Sequence, residues 1–470
     1  MRLILQFGVV LTFVILVIAC RKESYYEGHD AQLKFSTDTV KFDTIFSGIG
    51  SVTQKLMVYN PYNKSLKVSS IQLNGNASPF ILNINGSQGN TVTNVEIYPH
   101  DSIYIFIQIF LNTTGQNLPL LIDNQLEFNV NGNIQNVDLE AYGQDIHLIR
   151  NETIKTTTWE ADKPYLIYGN ATVDSLATLT ISKGVNVYFH KKASMLVKGT
   201  LKINGDFSNP VTFGGDRLDH DYQQYPGQWG GIMFLPGSKN NVFNWLVLKN
   251  GTSGIQIGTY NDFSKPDIEL YNVIVQNMSY SCLLAIGARV KAASCLIANA
   301  ATYTCGLIGG GDYEFYQCTI VNYFGTYAAR DISYPTVIIT NNYQYPLNSG
   351  KTINTDLTNA NFYNSIIYGS NNDEIELDNQ PSYKFQFLFD HCLVRSTYID
   401  STKTLPFTSI IWNKDPKFQA SDSAKFELTK LSPAIDTGDI ATGKLFPVDL
   451  KNIDRTKDAK PALGDYEFVK

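Results

Sequence analysis

The sequence predicts an all-β protein in which a two-sheet β-sandwich is followed by a right-handed parallel β-helix. Three observations carry this expectation. Apolar residues alternate over short runs between Gly, Asn and Pro punctuation, and no long stretch shows the 3.6-residue period of a helix. Polar residues lean towards Asn, Thr, Ser and Tyr, with only 17% of positions charged. Past the middle of the chain, residues of one kind recur at steps of 22 and 23, a period that marks a solenoid. With 470 residues the chain has room for two or three domains, and 43% hydrophobic residues suit a folded ectodomain. The net charge is −6 and no basic patch appears, which argues against a nucleic-acid partner.

At the amino terminus a single Arg2 precedes an apolar run from Leu3 to Ala19 that ends in VIAC, with Val17 three before Cys20 and Ala19 next to it. This resembles the lipobox of a bacterial lipoprotein signal peptide, which implies cleavage after residue 19, acylation of Cys20 and tethering to a membrane by lipid. A transmembrane anchor is the competing reading, since 17 apolar residues sit at the lower limit for a span. The position of Cys20, where the apolar run stops, favours the lipoprotein. Residues 1–19 are therefore read as signal peptide and 20–30 as a tether.

Residues 31–145 read as the sandwich. The runs KLMVYN, LKVSSIQL, VEIY, SIYIFIQIFL, LEFNV and NVDLEAYG are strand-like, and Asn131-Gly132 between two of them suits a type I′ hairpin turn. The stretch VYNPYNKSLKVSSIQLNGNASPFIL resembles immunoglobulin-like modules of the ASH/HYDIN type, which implies a spacer or binding platform.

A charged, Thr-rich segment, 146–165, reads as a connector, and 166–430 as the β-helix. Setting Val273, Cys295 and Cys318 in one column aligns Glu269, Lys291 and Glu314 four residues earlier and Asn277, Asn299 and Asn322 four residues later. Val247 and Asn250 extend these columns backwards, and Ser365 and Cys392 forwards. Successive coils of a parallel β-helix stack at the inter-strand spacing, so equivalent residues lie over one another. Cys282 and Cys305, also 23 apart, are expected as a second inward stack. An exported protein also permits disulfides, but side chains in register on parallel strands point the same way, and five cysteines beyond Cys20 leave one unpaired. The Asn column reads as an asparagine ladder at a turn and the Glu-Lys-Glu column as an outward charge ladder.

Residues 431–470 are read as a capping segment that hides the last rung. Ser432 to Gly438 (SPAIDTG), Asp449, Arg455, Gly464, Tyr466 and Glu467 match the terminal segment of many bacterial surface β-helix proteins; Ala462 and Asp465 depart from it. Taken whole, the chain resembles surface lipoproteins of Bacteroidetes with a pectate-lyase-like solenoid. This resemblance implies outer-membrane residence at the cell surface, although RKES after Cys20 lacks the acidic run that directs outward display.

One dense polar grouping stands out: Asp216, Arg217, Asp219, His220, Asp221, Tyr222, Tyr225 and Trp229 within GGDRLDHDYQQYPGQWGG. Its acids, imidazole and aromatic rings could contact a glycan, while the flanking Gly and Pro suit a solvated loop. His190 reads as an outward turn residue and Gly309 to Asp312 as a tight turn. No HExxH, CxxC or GxSxG motif is present, no cofactor or metal is expected, and no catalytic residue can be named. The expected function is a lipid-anchored, non-catalytic envelope protein presenting a β-helix face to a glycan or surface protein. The alternative is a polysaccharide lyase or glycoside hydrolase acting on that face.

Overall fold

The computed structural model describes residues 24–469 except 76–77, 114, 116–119, 220–221, 324–328, 347–348 and 398–405. The signal peptide and Cys20 lie outside the described residues. Two compact units divide at Asp145/Ile146. Among the described residues no helix is long and apolar enough to cross a membrane.

The first unit is a pair of five-stranded sheets enclosing one core. Alternation drives it: Ser102–Ile109 buries every second residue, sending Ile103, Ile105, Ile107 and Ile109 inward. Asn131 and Gly132 both have positive φ (51° and 89°) and join Leu120–Val130 to Asn133–Gln144, as the hairpin signal requires. The strands Thr39–Phe46 and Phe80–Ile84 were not read from the sequence. Thr39–Phe46 pairs parallel with Asn133–Gln144.

The second unit is a parallel β-helix with three faces. The first face has ten strands, from Thr157–Trp159 to Phe407–Thr408. The second runs through Asn186–Phe189, Leu246–Lys249, Leu296–Ala300 and Ile366–Gly369 to Ile411–Trp412. The third runs through Ser194–Val197, Ser253–Ile257, Ser281–Ile286 and Val337–Thr340 to Ile375–Asp378. The segment 146–165, expected as a connector, is instead the first coil: His147–Ile154 pairs with Tyr165–Val173, and Thr157–Trp159 with Thr178–Ser182. Its Thr and charged residues suggested a linker because they face outward on the terminal rung.

The vertical stacking holds. Phe315, Phe362, Phe389 and Phe407 form one inward pile with ring centroids 4.8, 4.7 and 5.0 Å apart. Glu269, Lys291 and Glu314 share one register row. Asn250, Asn277 and Asn299 occupy one left-handed corner position with φ near 64°, and Asn277 Nδ2 donates to Asn250 Oδ1 at 2.6 Å. Cys295 lies over Cys318, whose backbone N–H bonds Ser365 Oγ, and all are buried. Each residue of this column turns its donor to the carbonyl two residues back: Cys295 to Ala293, Cys318 to Tyr316, Ser365 to Tyr363 and Cys392 to Asp390. A small side chain carrying one donor is what the corner accommodates.

Two register expectations are corrected. Cys282 does not sit over Cys305; Cys305 aligns with Leu283, a step of 22. The column passes through Leu246 rather than Val247, because Val247 pairs with Ile274 and points outward, and it continues back to Val211. The extra residue that lengthens the next step to 23, from Arg289 to Asp312, falls in the Gly309–Gly311 corner, where all three glycines have positive φ. All five described cysteines are free thiols.

The C-terminal segment also departs from expectation. Rather than covering the last rung, it lies along the second face: Ala434, Leu450, Ala462 and Leu463 pack on Leu296, Ala298, Val321, Ile366 and Leu393. Corner residues of successive coils hold it. Asn272 Nδ2 and Ser294 Oγ donate to the Asp449 and Val448 carbonyls, and Asn364 exchanges two hydrogen bonds with the Asp439 backbone. Outward-facing apolar residues on that face make a lateral cover necessary. Beneath it Arg455 pairs with Glu467 at 3.4 Å, with both side chains buried.

Candidate functional site

The polar grouping at 216–229 leaves the helix between the second and third faces. Asp216 Oδ2 accepts from His190 Nδ1 at 2.7 Å, and His190 stacks on Tyr168 with centroids 4.2 Å apart. His190 is thus the corner residue expected, but it is paired rather than free. Burial raises the Asp216 carboxyl above its ordinary range, and the His190 bond pulls it back only in part. Arg217 grips Asp219 through two hydrogen bonds of 3.0 and 2.9 Å and lies over the Tyr222 ring at 4.0 Å. Tyr222 sits 5.8 Å from Tyr225, which is exposed. His220 and Asp221 lie outside the described residues.

Trp229 is not a contact residue. It is fully buried, stacks on Phe189 at 4.0 Å and donates from Nε1 to the Lys249 carbonyl. Its position immediately before the strand Gly231–Phe234 turns it into the core. Among the described residues of this loop, Asp216 is paired with His190 and Asp219 with Arg217, and the loop backbone is tied to the asparagine ladder through Asn250 and Asn277. The loop is therefore a wall.

What it walls is the third face. The outward column along that face reads Leu196, Met233, Gln256, Leu284, Gly306, Ile338 and Glu376. One edge carries the described residues 216–219, 222–230 and 329–336, and the other carries 258–266, 341–346, 349–356 and 379–387. The first face presents its charge ladder to solvent and the C-terminal segment covers much of the second.

Tyrosines converge on this floor from both edges. Tyr260 and Tyr280 are exposed and lie within electrostatic reach of each other. Tyr303 meets Tyr334 edge-on at 4.8 Å and feels Glu376, Tyr280 and Tyr260. Burial, reinforced by Glu376, pushes the Tyr303 phenol up to about 12, so it stays a neutral donor. Burial and the neighbouring Asp378 raise the Glu376 carboxyl.

The wall at 329–336 is pinned by a buried pair: Arg330 meets Glu374 through two bonds of 2.9 and 2.6 Å, both side chains being almost fully buried. Thr336 and the Asn371 N–H supply further donors to Glu374. A cavity of about 600 Å³ opens beside it, lined by Ile332, Ser370, Asn371, Asp373 and Glu376 among others. Among the described residues no group of three or more His, Cys, Asp or Glu is placed to hold a metal.

The sequence did not single out Tyr260, Tyr280, Tyr303, Tyr334 or Glu376. A signal existed: Tyr280 and Tyr303 are one coil length apart.

Residues 151–265 match the family model described as a pectate-lyase like beta helix domain. No curated protein matches the chain. Among solved structures, the chain is similar to the VesB protease of Vibrio cholerae at 14% identity, covering 24% of this chain and 32% of that one with a TM-score of 0.18. It is similar to a family 123 glycoside hydrolase from Clostridium perfringens at 9% identity, covering 28% of this chain and 30% of that one with a TM-score of 0.17. The chain thus spans about a third of the length of these two. A third likeness is to the catalytic unit of the GH87 alpha-1,3-glucanase from Streptomyces thermodiastaticus strain HF3-3, at 9% identity over 76% of this chain and 87% of that one, with a TM-score of 0.26. The family match and the coil register agree on the fold of residues 151–265, a pectate-lyase-like β-helix.

Proposed function

We propose that the third face binds a glycan chain lying along the coils, and that the protein is a non-catalytic envelope component tethered by a lipid on Cys20. The observation that carries the binding reading is the set of tyrosines above an apolar floor, walled on both edges. Aromatic rings stack on the C–H faces of sugars while their hydroxyls bond the sugar oxygens, and this needs no acid, base or metal. A binding screen over immobilised polysaccharides tests it. Tyr280→Ala and Tyr303→Ala should each weaken binding about fivefold to tenfold, the usual worth of an aromatic contact. Unchanged binding in both would remove the support. Metabolic labelling with a fatty acid, abolished by Cys20→Ser, tests the anchor. Protease shaving of intact cells tests outward display.

A second reading is a glycoside hydrolase. What favours it is that Glu376 and Asp378 stand at alternate positions of one strand and so face the same side of the groove, about 7 Å apart along the chain. A pair of carboxyl groups on one side of the groove is what an acid and a base at a glycosidic bond require. Release of reducing ends by the parent, lost in Glu376→Gln, would establish it. A surface protein as ligand in place of a glycan is the remaining outcome of the screen.

A further inference from the structure

We infer that the groove on the third face takes an uncharged glycan and rejects uronate-bearing or sulfated ones. This rests on the glycan-binding reading above and specifies the ligand's chemical class.

The argument is an inventory of charge around the groove. At its C-terminal end the floor carries Glu376 and, two residues on, Asp378. Asp373 lines the adjoining cavity and is held in place by Ser396 and Thr397. Asp331 is exposed on the wall at 329–336. The nearby guanidinium groups are committed elsewhere. Arg330 is almost fully buried, and its two terminal nitrogens are taken by Glu374 and by the Asn322 and Tyr334 carbonyls. Arg395 bonds the Gly369 carbonyl and Asn372 Oδ1 and lies over Tyr368 on the second face. Arg217, on the opposite wall, is spent on Asp219. On the far edge a pocket of about 300 Å³ holds Lys265, but with Asp262 and Asp356 in the same lining, and the exposed Lys351 and Lys384 stand on the excursions of that edge rather than on the floor strands.

Among the described residues no guanidinium is paired with Glu376, Asp378, Asp373 or Asp331 that a ligand carboxylate could share. An anionic polymer laid along the floor would pass Glu376 and Asp378 inside one Debye length, where like charges repel. Acidic sugars are bound where Arg or Lys forks meet them, and no free fork faces this floor among the described residues. A neutral chain meets only rings, apolar floor and acceptor oxygens suited to sugar hydroxyls.

The test uses the full ectodomain, residues 21–470, and matched polymer pairs: neutral glucans, mannans, xylans and galactans, each beside its carboxymethylated derivative. Affinity electrophoresis at low salt compares the members of each pair. The expected result is retardation by at least one neutral polymer, weakened at least about tenfold by carboxymethylation. Double substitution Glu376→Gln, Asp378→Asn should then narrow that ratio at least about threefold, and added salt should narrow it in the parent. Equal or tighter binding of the carboxymethylated member would overturn the inference while leaving the groove in place, provided Tyr280→Ala still weakens it about fivefold or more. If no polymer of either kind binds, or binding ignores the tyrosine substitutions, the groove reading falls and the inference with it.

Discussion

Asp465→Asn should make the protein's stability respond to pH differently, by an amount the structure fixes. Asp465 is 1% exposed, its backbone N–H bonds Thr319 Oγ1, and Arg455 and Asp449 act on its carboxyl. Burial pushes its carboxyl from the ordinary 3.8 up to about 8. Below about pH 4 both folded and unfolded chains carry this proton and the effect is absent. Between about 4 and 8 the unfolded chain releases it and the folded chain keeps it, so stability falls as pH rises. Above about 8 the loss is complete. Each pH unit in that window is worth about 1.4 kcal/mol. From pH 5 to pH 7 the parent should therefore lose on the order of 3 kcal/mol that the asparagine variant does not. Asparagine has its own cost as a buried amide, but that cost is the same at every pH, and the other titrating groups cancel in the comparison. Thermal melts of both proteins at pH 5, 6 and 7 measure it. At roughly 2 °C per kcal/mol for a unit of this size, the difference in Tm should drift by about 5 °C in favour of the variant. Melting curves that stay parallel across the range would refute the assignment of a neutral, buried carboxyl.

Other substitutions probe the remaining claims. Trp229→Ala removes a fully buried indole stacked on Phe189 and should cost about 3–5 kcal/mol by denaturant titration, whereas Tyr225→Ala on the exposed loop should cost under about 0.5 kcal/mol. Glu374→Ala strands the buried Arg330 guanidinium and should destabilise by about 3–5 kcal/mol; Arg330→Met with Glu374→Leu should recover much of that loss. Asn277→Ala breaks the 2.6 Å ladder bond to Asn250 and the bond to the Gln224 carbonyl, with an expected loss of about 1–2 kcal/mol. The five described thiols are buried, and burial raises those of Cys282, Cys305, Cys318 and Cys392; a thiol reagent at pH 8 should label none of the five until denaturant is added.

The stacking geometry was legible because a β-helix repeats its rung at nearly constant length, so sequence distance becomes vertical position. The Glu269-Lys291-Glu314 row and the Cys295-Cys318 pair follow from that alone. It failed at Cys282 and Cys305 because the extra residue of the Gly309–Gly311 corner lies after Cys305 and before Cys318, so the same count of 23 is in register in one place and one residue out in the other. The SPAIDTG segment was recognisable but its location was not. Nothing local in Leu296, Val321 or Ile366 says which segment covers an outward apolar column. In the dense polar loop Arg217 with Asp219 and His190 with Asp216 are mutual partners, and mutual pairing and ligand binding leave the same residue types in a sequence.

Chemistry on a solenoid depends on which lateral face is left free, and here the faces are allocated one by one. The C-terminal segment occupies much of the second, satisfying its apolar column with Leu450 and Leu463 and its corner donors with backbone carbonyls. The first is finished by its own ladders of charge and by the Tyr316–Tyr363 stack at 4.9 Å, which Phe446 partly covers. Only the third combines outward Leu284 and Ile338, a gap at Gly306, and walls on both edges. A methyl at Gly306 would sit 3.0 Å from the Leu284 side chain, so even a small residue there raises the floor. Gly306→Ala should therefore weaken glycan binding while leaving the melting temperature within a few degrees of the parent, since Gly306 has an ordinary extended backbone. An unchanged affinity in that variant, measured beside an intact fold, would place the ligand somewhere other than over the middle of this face.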